Sequence, residues 1–342
     1  MNKNAEILKK AISSSLDIIE QDREREIISR RFGLTGHKET LEQIGETLSI
    51  TRERVRQLEK AILIRLQISA EEDEIPELAA ADKILVRYLI ESGRIAKISD
   101  LANKVYGRKA TASEKAGIYF IATFSNNLTV VEENDRYYAA IGIAEYGNSA
   151  AIRERVDEIV SVLKANKKPM TLEELDSKLD YAHPDYIIAM ASISKQIATL
   201  NGVWGLAKWP AVNPRNIRDK IFVILENKKE PMHFSDIAKE ISESNFKRKN
   251  VTVQAIHNEL IKDDRFVLIG RGIYALSSWG YKKGTISDII KSILAKSDKP
   301  LSREEIVKQV LKVRKVKETT ILLNLQNKAL FKKVDKNSYT LA

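Results

Sequence analysis

The chain contains no cysteine, so disulfides, thiolate metal sites and cysteine nucleophiles are excluded, and a reducing compartment fits. No apolar run approaches the roughly 18 residues that a membrane span requires. The opening stretch, "MNKNAEILKKAISSSLDIIE", alternates charge with apolar positions at helical spacing, which is not the pattern of a signal peptide. Histidine is scarce: His37, His183, His233 and His257 are scattered, with no HExxH or other ligand spacing. Neither a GxxxxGK[ST] phosphate loop nor a GxSxG elbow occurs, and Gly270-Arg271-Gly272 is explained by a turn. These absences leave no catalytic constellation, metal site or cofactor site to expect, so the chain reads as a binding protein and not an enzyme.

What the sequence does have is positive charge. Its 342 residues carry a net charge of +10, with a pI near 9.4, which favours a polyanionic partner. The excess is concentrated: residues 282–342 carry +9, whereas residues 71–213 carry −4. Hydrophobic residues make up 43%, and at roughly 150 residues per domain the length predicts at least two cores.

A recurring unit supports more than two. An amphipathic helix, a Lys/Pro turn and a second short helix recur in "KANKKPMTLEELDSKL", "LENKKEPMHFSDIAKEI" and "LAKSDKPLSREEIVKQVL", with Pro169, Pro231 and Pro300 at equivalent points. The preceding helices share an apolar stripe at helical period, as in Ile286, Ile289, Ile290 and Ile293. Each unit ends in a β-like segment, clearest where residues 266–269 and 273–276 flank the Gly-Arg-Gly turn. A copy without the proline precedes these, from Ile84 through "ISDLANKVYG" to "LTVVEENDRYYAAI". Helix, helix, helix, hairpin is the pattern of a winged helix. The expected fold is therefore mainly α with small β-hairpin wings: a helix-turn-helix domain (1–70), an acidic linker holding Pro76 (71–82), and four tandem winged helices (83–147, 150–212, 214–282 and 283–342).

Residues 40–62 read as two helices joined by a tight turn. Thr40 with Gln43 forms a capping-box start, and Thr51 is a good N-cap for the second helix. Ile44, Leu48, Ile50, Val55, Leu58 and Ile62 supply an inward face, Gly45 falls at a close backbone approach, and Ser49 falls in the turn. That spacing suits a helix-turn-helix, which places its second helix in a DNA major groove. With Val55 and Leu58 inward, the stretch "TRERVRQLEK" leaves Arg52, Glu53, Arg56 and Gln57 for base edges: Arg can hold guanine with two hydrogen bonds, Gln adenine, and Glu can accept from cytosine. Arg54 and Lys60 suit phosphates, as do Thr40 and Thr51 at the two helix starts. Arg52, Arg56 and Lys60 form a like-charge i,i+4 series that destabilises a free helix and that an anionic partner would relieve.

"DREREIISRRFGL...ETLEQIGETLSITRERVRQLEKAILIRL", residues 22–66, resembles region 4 of the housekeeping bacterial sigma-factor family, the domain that recognises the promoter −35 element. Leu58 stands where that family more usually has Ile, a change that keeps the core. The resemblance implies that Arg52, Glu53, Arg56 and Gln57 contact −35 bases, and that the domain's apolar surface can dock on the flap of the RNA polymerase β subunit. Nothing after residue 70 resembles the sigma segments that clamp polymerase or melt the −10 element. Residues 214–282, ending in "GIYAL..WGY", are similar to the HARE-HTH winged-helix family, known from the polymerase delta subunit, chromatin proteins and restriction enzymes; here fold transfers better than activity.

The run "KVRKVK" precedes the third helix of the last unit, making Lys312, Arg314, Lys315 and Lys317 expected phosphate contacts; "FKRKN" holds the same position one unit earlier. Trp204, Trp209 and Trp279 fall at the hairpins and are expected to anchor them. The acidic balance of residues 71–213 makes the first two winged helices spacers or protein-docking modules. The whole reads as a cytoplasmic bacterial regulator that binds double-stranded, −35-like DNA. The alternative is a polymerase-associated adaptor that grips the β flap and uses its winged helices to bind protein.

Overall fold

The computed structural model describes residues 3–342 apart from 180, 182, 183, 249, 282, 298 and 336. His183 and Lys249 of the "FKRKN" run therefore lie outside the described residues. Sixteen α-helices and eleven short strands are present among the described residues, in two compact units, Met1–Lys208 and Trp209–Ala342. No described helix is long and apolar enough to cross a membrane.

The first unit opens with α1 (Lys3–Asp17), α2 (Asp22–Phe32), α3 (Leu41–Leu48) and α4 (Arg52–Glu71). It continues with α5 (Leu78–Ile90), β1 (Ile95–Lys97), α6 (Ile98–Tyr106), α7 (Ala112–Phe124), β2 (Leu128–Val131) and β3 (Ala140–Ile143), and then α8 (Ser149–Asn166), α9 (Leu172–Asp176), α10 (Pro184–Ser192), β4 (Ile197–Leu200) and β5 (Val203–Leu206). The second unit contains α11 (Ile217–Lys228), β6 (Met232–His233), α12 (Phe234–Glu243), α13 (Val253–Lys262), β7 (Phe266–Gly270) and β8 (Ile273–Leu276), followed by α14 (Ile286–Leu294), β9 (Leu301–Ser302), α15 (Arg303–Val313), α16 (Glu318–Leu325), β10 (Phe331–Lys333) and β11 (Ser338–Leu341).

After α4 the order of three helices and a terminal antiparallel hairpin recurs four times. In three of these a strand of two or three residues after the first helix pairs with the last strand of the hairpin, giving sheets β1-β3-β2, β6-β8-β7 and β9-β11-β10. In the remaining one the third strand shrinks to a bridge between Met170 and Trp204. The prolines explain the placement: Pro169, Pro231 and Pro300 each precede the residue that pairs with the hairpin. At the Gly-Arg-Gly turn, Gly272 adopts φ 70° and a Cβ there would lie 2.4 Å from His233 Nε2, so both conformation and space demand glycine.

The stretch 71–82 differs from a solvated linker. The helical break is confined to residues 72–77, and Ile75, Leu78 and Ala81 are buried. They belong to one hydrophobic core that also contains Leu8 and Ala11 of α1, Ile28 and Phe32 of α2, Ile62 and Leu66 of α4, and Leu85, Phe120 and Phe124 beyond. Phe32 stacks edge-on against Phe120 at 5.1 Å, and Phe120 in turn against Phe124 at 5.1 Å. Gly117 of α7 lets Ile12 of α1 approach, since a Cβ would stand 2.3 Å from that side chain. By contrast, the core between α2, α3 and α4 contains only Ile27, Ile44 and Val55 as fully buried residues. Residues 1–70 thus share most of their apolar interior with the helices that follow.

Candidate nucleic-acid interface

The turn between α3 and α4 is built as the sequence suggests. Thr40 Oγ1 accepts the Gln43 backbone N–H at 3.2 Å while the Gln43 side chain accepts the Thr40 N–H at 2.9 Å, and α3 closes on Ser49 in the left-handed region at φ 53°. Ile50 N–H then donates to Gly45 O at 2.9 Å. A Cβ on Gly45 would sit 2.7 Å from Ile50 O, so the close approach is of the turn folding back on α3. Thr51 caps α4 by accepting the Arg54 N–H at 3.2 Å. Both threonines are exposed, and each hydroxyl keeps its proton for a further acceptor.

Val55 points into the small core, and Arg52, Glu53, Arg54, Arg56, Gln57 and Lys60 are all exposed on α4. They are not equivalent. Glu53 takes Arg56 Nε at 2.8 Å and Nη2 at 2.7 Å, and receives Gln57 Nε2 at 3.4 Å. The guanidinium holds the Glu53 carboxyl below its ordinary range, so the pair stays charged. Two of the five N–H donors of Arg56 are used in this way, which leaves the end-on fork of Nη1 and Nη2 open. Opposite charges thus lie at i,i+3, and Arg52, Arg54 and Lys60 form no ion pair among the described residues.

The other cations of this region are occupied internally. Arg31 pairs with Glu59 at 3.1 Å, Arg30 with Glu26 at 2.8 Å and Glu39 at 2.9 Å, Arg65 with Glu24, and Arg23 donates to Leu48 O. These bonds tie α2 to α3 and α4 and aim the exposed face of α4 away from the core.

The C-terminal run separates into two kinds of residue. Lys312, Lys315 and Lys317 are exposed and form no ion pair among the described residues. Arg314 is only 8% exposed, and its guanidinium donates to Leu268 O of β7 and to Gly284 O. Burial lowers its pKa from the usual guanidinium value. Lys315 N–H donates to Ile269 O at 3.0 Å, and Gly270 leaves room for Lys315 O. The expected phosphate contact by Arg314 is therefore corrected: the side chain clips the last repeat to the hairpin of the one before. Sequence reasoning also missed Lys332 and Lys333, which are exposed on β10, and Lys328 just before it. Only the hairpin register brings them together, because helical periodicity does not connect them. Trp279 packs on the β7–β8 hairpin core, whereas Trp204 pairs its backbone with Met170.

A capped helix-turn-helix with an exposed, cationic second helix defines the class: this protein carries helix-turn-helix domains of the DNA-binding type. Residues 21–67 match the family model of Sigma-70, region 4. Residues 216–279 match the family model of HARE-HTH, the ASXL and restriction endonuclease HTH domain. Both resemblances read from the sequence are found where they were expected.

Proposed function

We propose that this protein is a cytoplasmic bacterial transcription regulator that reads −35-like duplex DNA through α4 and holds the flanking backbone through its remaining exposed cations. The observation that carries the reading is the sorting of charge around the helix-turn-helix. Arginines at 23, 30, 31 and 65 are bonded within the fold, while Arg52, Arg54 and Lys60 stand unpaired beside the Glu53–Arg56–Gln57 set. In this reading Arg56 presents its end-on fork to a guanine, Glu53 and Gln57 hold its orientation and complete the base contacts, and Arg52 adds a second reader. Thr40, Thr51, Arg54 and Lys60 take phosphates near the helix. Lys312, Lys315 and Lys317 take them at the far end of the chain. The four helix-and-hairpin repeats are winged helices that extend the footprint.

Binding titrations of the full chain on a −35-containing duplex and a scrambled duplex test this reading. Arg56→Ala is expected to lose about 1–3 kcal/mol on the −35 duplex and little on the scrambled one. Removing Lys312, Lys315 and Lys317 together is expected to weaken both equally and to flatten the salt dependence by about one unit of slope for each lysine–phosphate pair removed. Equal losses on both duplexes for Arg56→Ala contradict base reading.

The adaptor alternative, gripping the polymerase β flap through the apolar surface of the sigma-like domain, has less support. Ile28, Phe32, Ile62 and Leu66 are already covered by the chain's own helices. Flap docking would have to use Ile64 and Ile68, the two isoleucines that α4 leaves 48% exposed.

A further inference from the structure

A groove of about 550 Å³ lies in the first unit where the sigma-like helices meet the first repeat, a volume suited to one small ligand. Its floor is apolar, formed by Phe32, Leu63, Ile98 and Ala116. Its walls bring cations and acids together, and the pairing decides which sign is left over. Glu59 is satisfied by Arg31 at 3.1 Å, and Glu133 by Lys195 at 2.7 Å. Lys38, Lys97 and Lys115 then face Glu132 alone, so the groove keeps a positive surplus.

Two of those lysines rest against tyrosine rings that also line the groove: Lys38 Nζ lies 5.7 Å from the centre of Tyr119, and Lys97 Nζ lies 4.4 Å from that of Tyr138. Tyr138 is 39% exposed, so part of its ring is open to a visitor. An aromatic face beside unpaired ammonium groups over an apolar floor matches a ligand with a planar, stackable part and an anionic part. An apolar ligand would leave the lysines unanswered, and a bare anion would leave the rings and floor unused. We infer that this groove binds a nucleotide, with its base stacked at the tyrosines and its phosphate on Lys97 and Lys115. The site is distinct from the reading face of α4 and does not rest on that reading. Because its walls come from both the sigma-like helices and the first repeat, occupancy links the two.

Calorimetric titration of the full chain with purine and pyrimidine nucleoside phosphates, the corresponding nucleosides, inorganic phosphate and a short single-stranded oligonucleotide tests the inference. The expected result is saturable, one-site binding of at least one nucleoside phosphate. The paired change Lys97→Ala with Lys115→Ala, and separately Tyr138→Ala, should each weaken it about tenfold or more, while Tyr138→Phe retains it. The altered residues are at the surface, and an unchanged thermal unfolding transition shows that the fold is intact. Absence of nucleotide binding at millimolar concentration overturns the inference, as does affinity indifferent to these substitutions. Phosphate binding as tightly as any nucleotide, or binding of the oligonucleotide alone, overturns it too. Duplex selectivity measured on the same variants is expected to persist, so failure here and failure of the DNA-reading proposal are distinguishable.

Discussion

At the residue scale, the charged side chains of the first 70 residues are sorted by whether the fold already answers them. Arg56 illustrates this: its bidentate bond to Glu53 looks like an ordinary surface ion pair, worth little to stability, but it also aims the remaining N–H donors outward. Asp82 is the opposite case, a carboxylate 5% exposed whose Oδ2 accepts from Ser125 at 2.7 Å and Asn127 at 3.1 Å while Oδ1 has no partner. Burial raises its pKa above the ordinary 3.8 despite those bonds. A raised carboxyl pKa means the folded state holds the proton more tightly, so its contribution to stability is present below the unfolded pKa and is lost as pH rises through the folded one. Urea unfolding of the wild type should therefore weaken from acid toward neutral pH relative to Asp82→Asn. Parallel pH profiles for the two proteins contradict this assignment.

At the scale of elements, two junctions decide the architecture. The first is the turn over Gly45. Gly45→Ala places a Cβ against Ile50 O and is expected to cost roughly 1–3 kcal/mol in unfolding free energy and to reduce duplex binding with it. The second is the Arg314 clip, where Arg314→Ala removes two charge-assisted bonds to backbone carbonyls and should destabilise the second unit by roughly 2–4 kcal/mol. Lys315→Ala should leave stability within about 0.5 kcal/mol of wild type; urea unfolding of both variants checks the contrast. The two junctions are not equally legible in the sequence. Capping residues, Gly45, Ser49 and the inward stripe of the helix-turn-helix are local signals, and they suffice to place α3 and α4. Strands β6 and β9 are two residues long and have no periodicity to read. Arg314 resembles its lysine neighbours until a hairpin 46 positions away in sequence supplies its acceptor.

At the scale of the whole molecule, the first 70 residues are a segment of a larger core and not a free module. Four side chains, Ile28, Phe32, Ile62 and Leu66, are buried among residues beyond 70, at roughly 1.5–3 kcal/mol each, against a total domain stability of about 5–15 kcal/mol. Circular dichroism melting should accordingly show a cooperative transition for a 1–208 fragment and none for a 1–70 fragment; a cooperative 1–70 fragment would contradict the shared core. The sequence points to a boundary at 70 because an acidic, proline-containing stretch usually marks solvent, whereas Ile75, Leu78 and Ala81 within it carry the chain into the core. The central claim, that α4 reads bases, is tested most directly by selecting sites from a random duplex pool with the full chain and with Arg56→Ala. The account predicts a −35-like motif recovered by the wild type and lost, at the guanine Arg56 reads, by the variant. Recovery of no motif by the wild type, or of the same motif by both proteins, would contradict it.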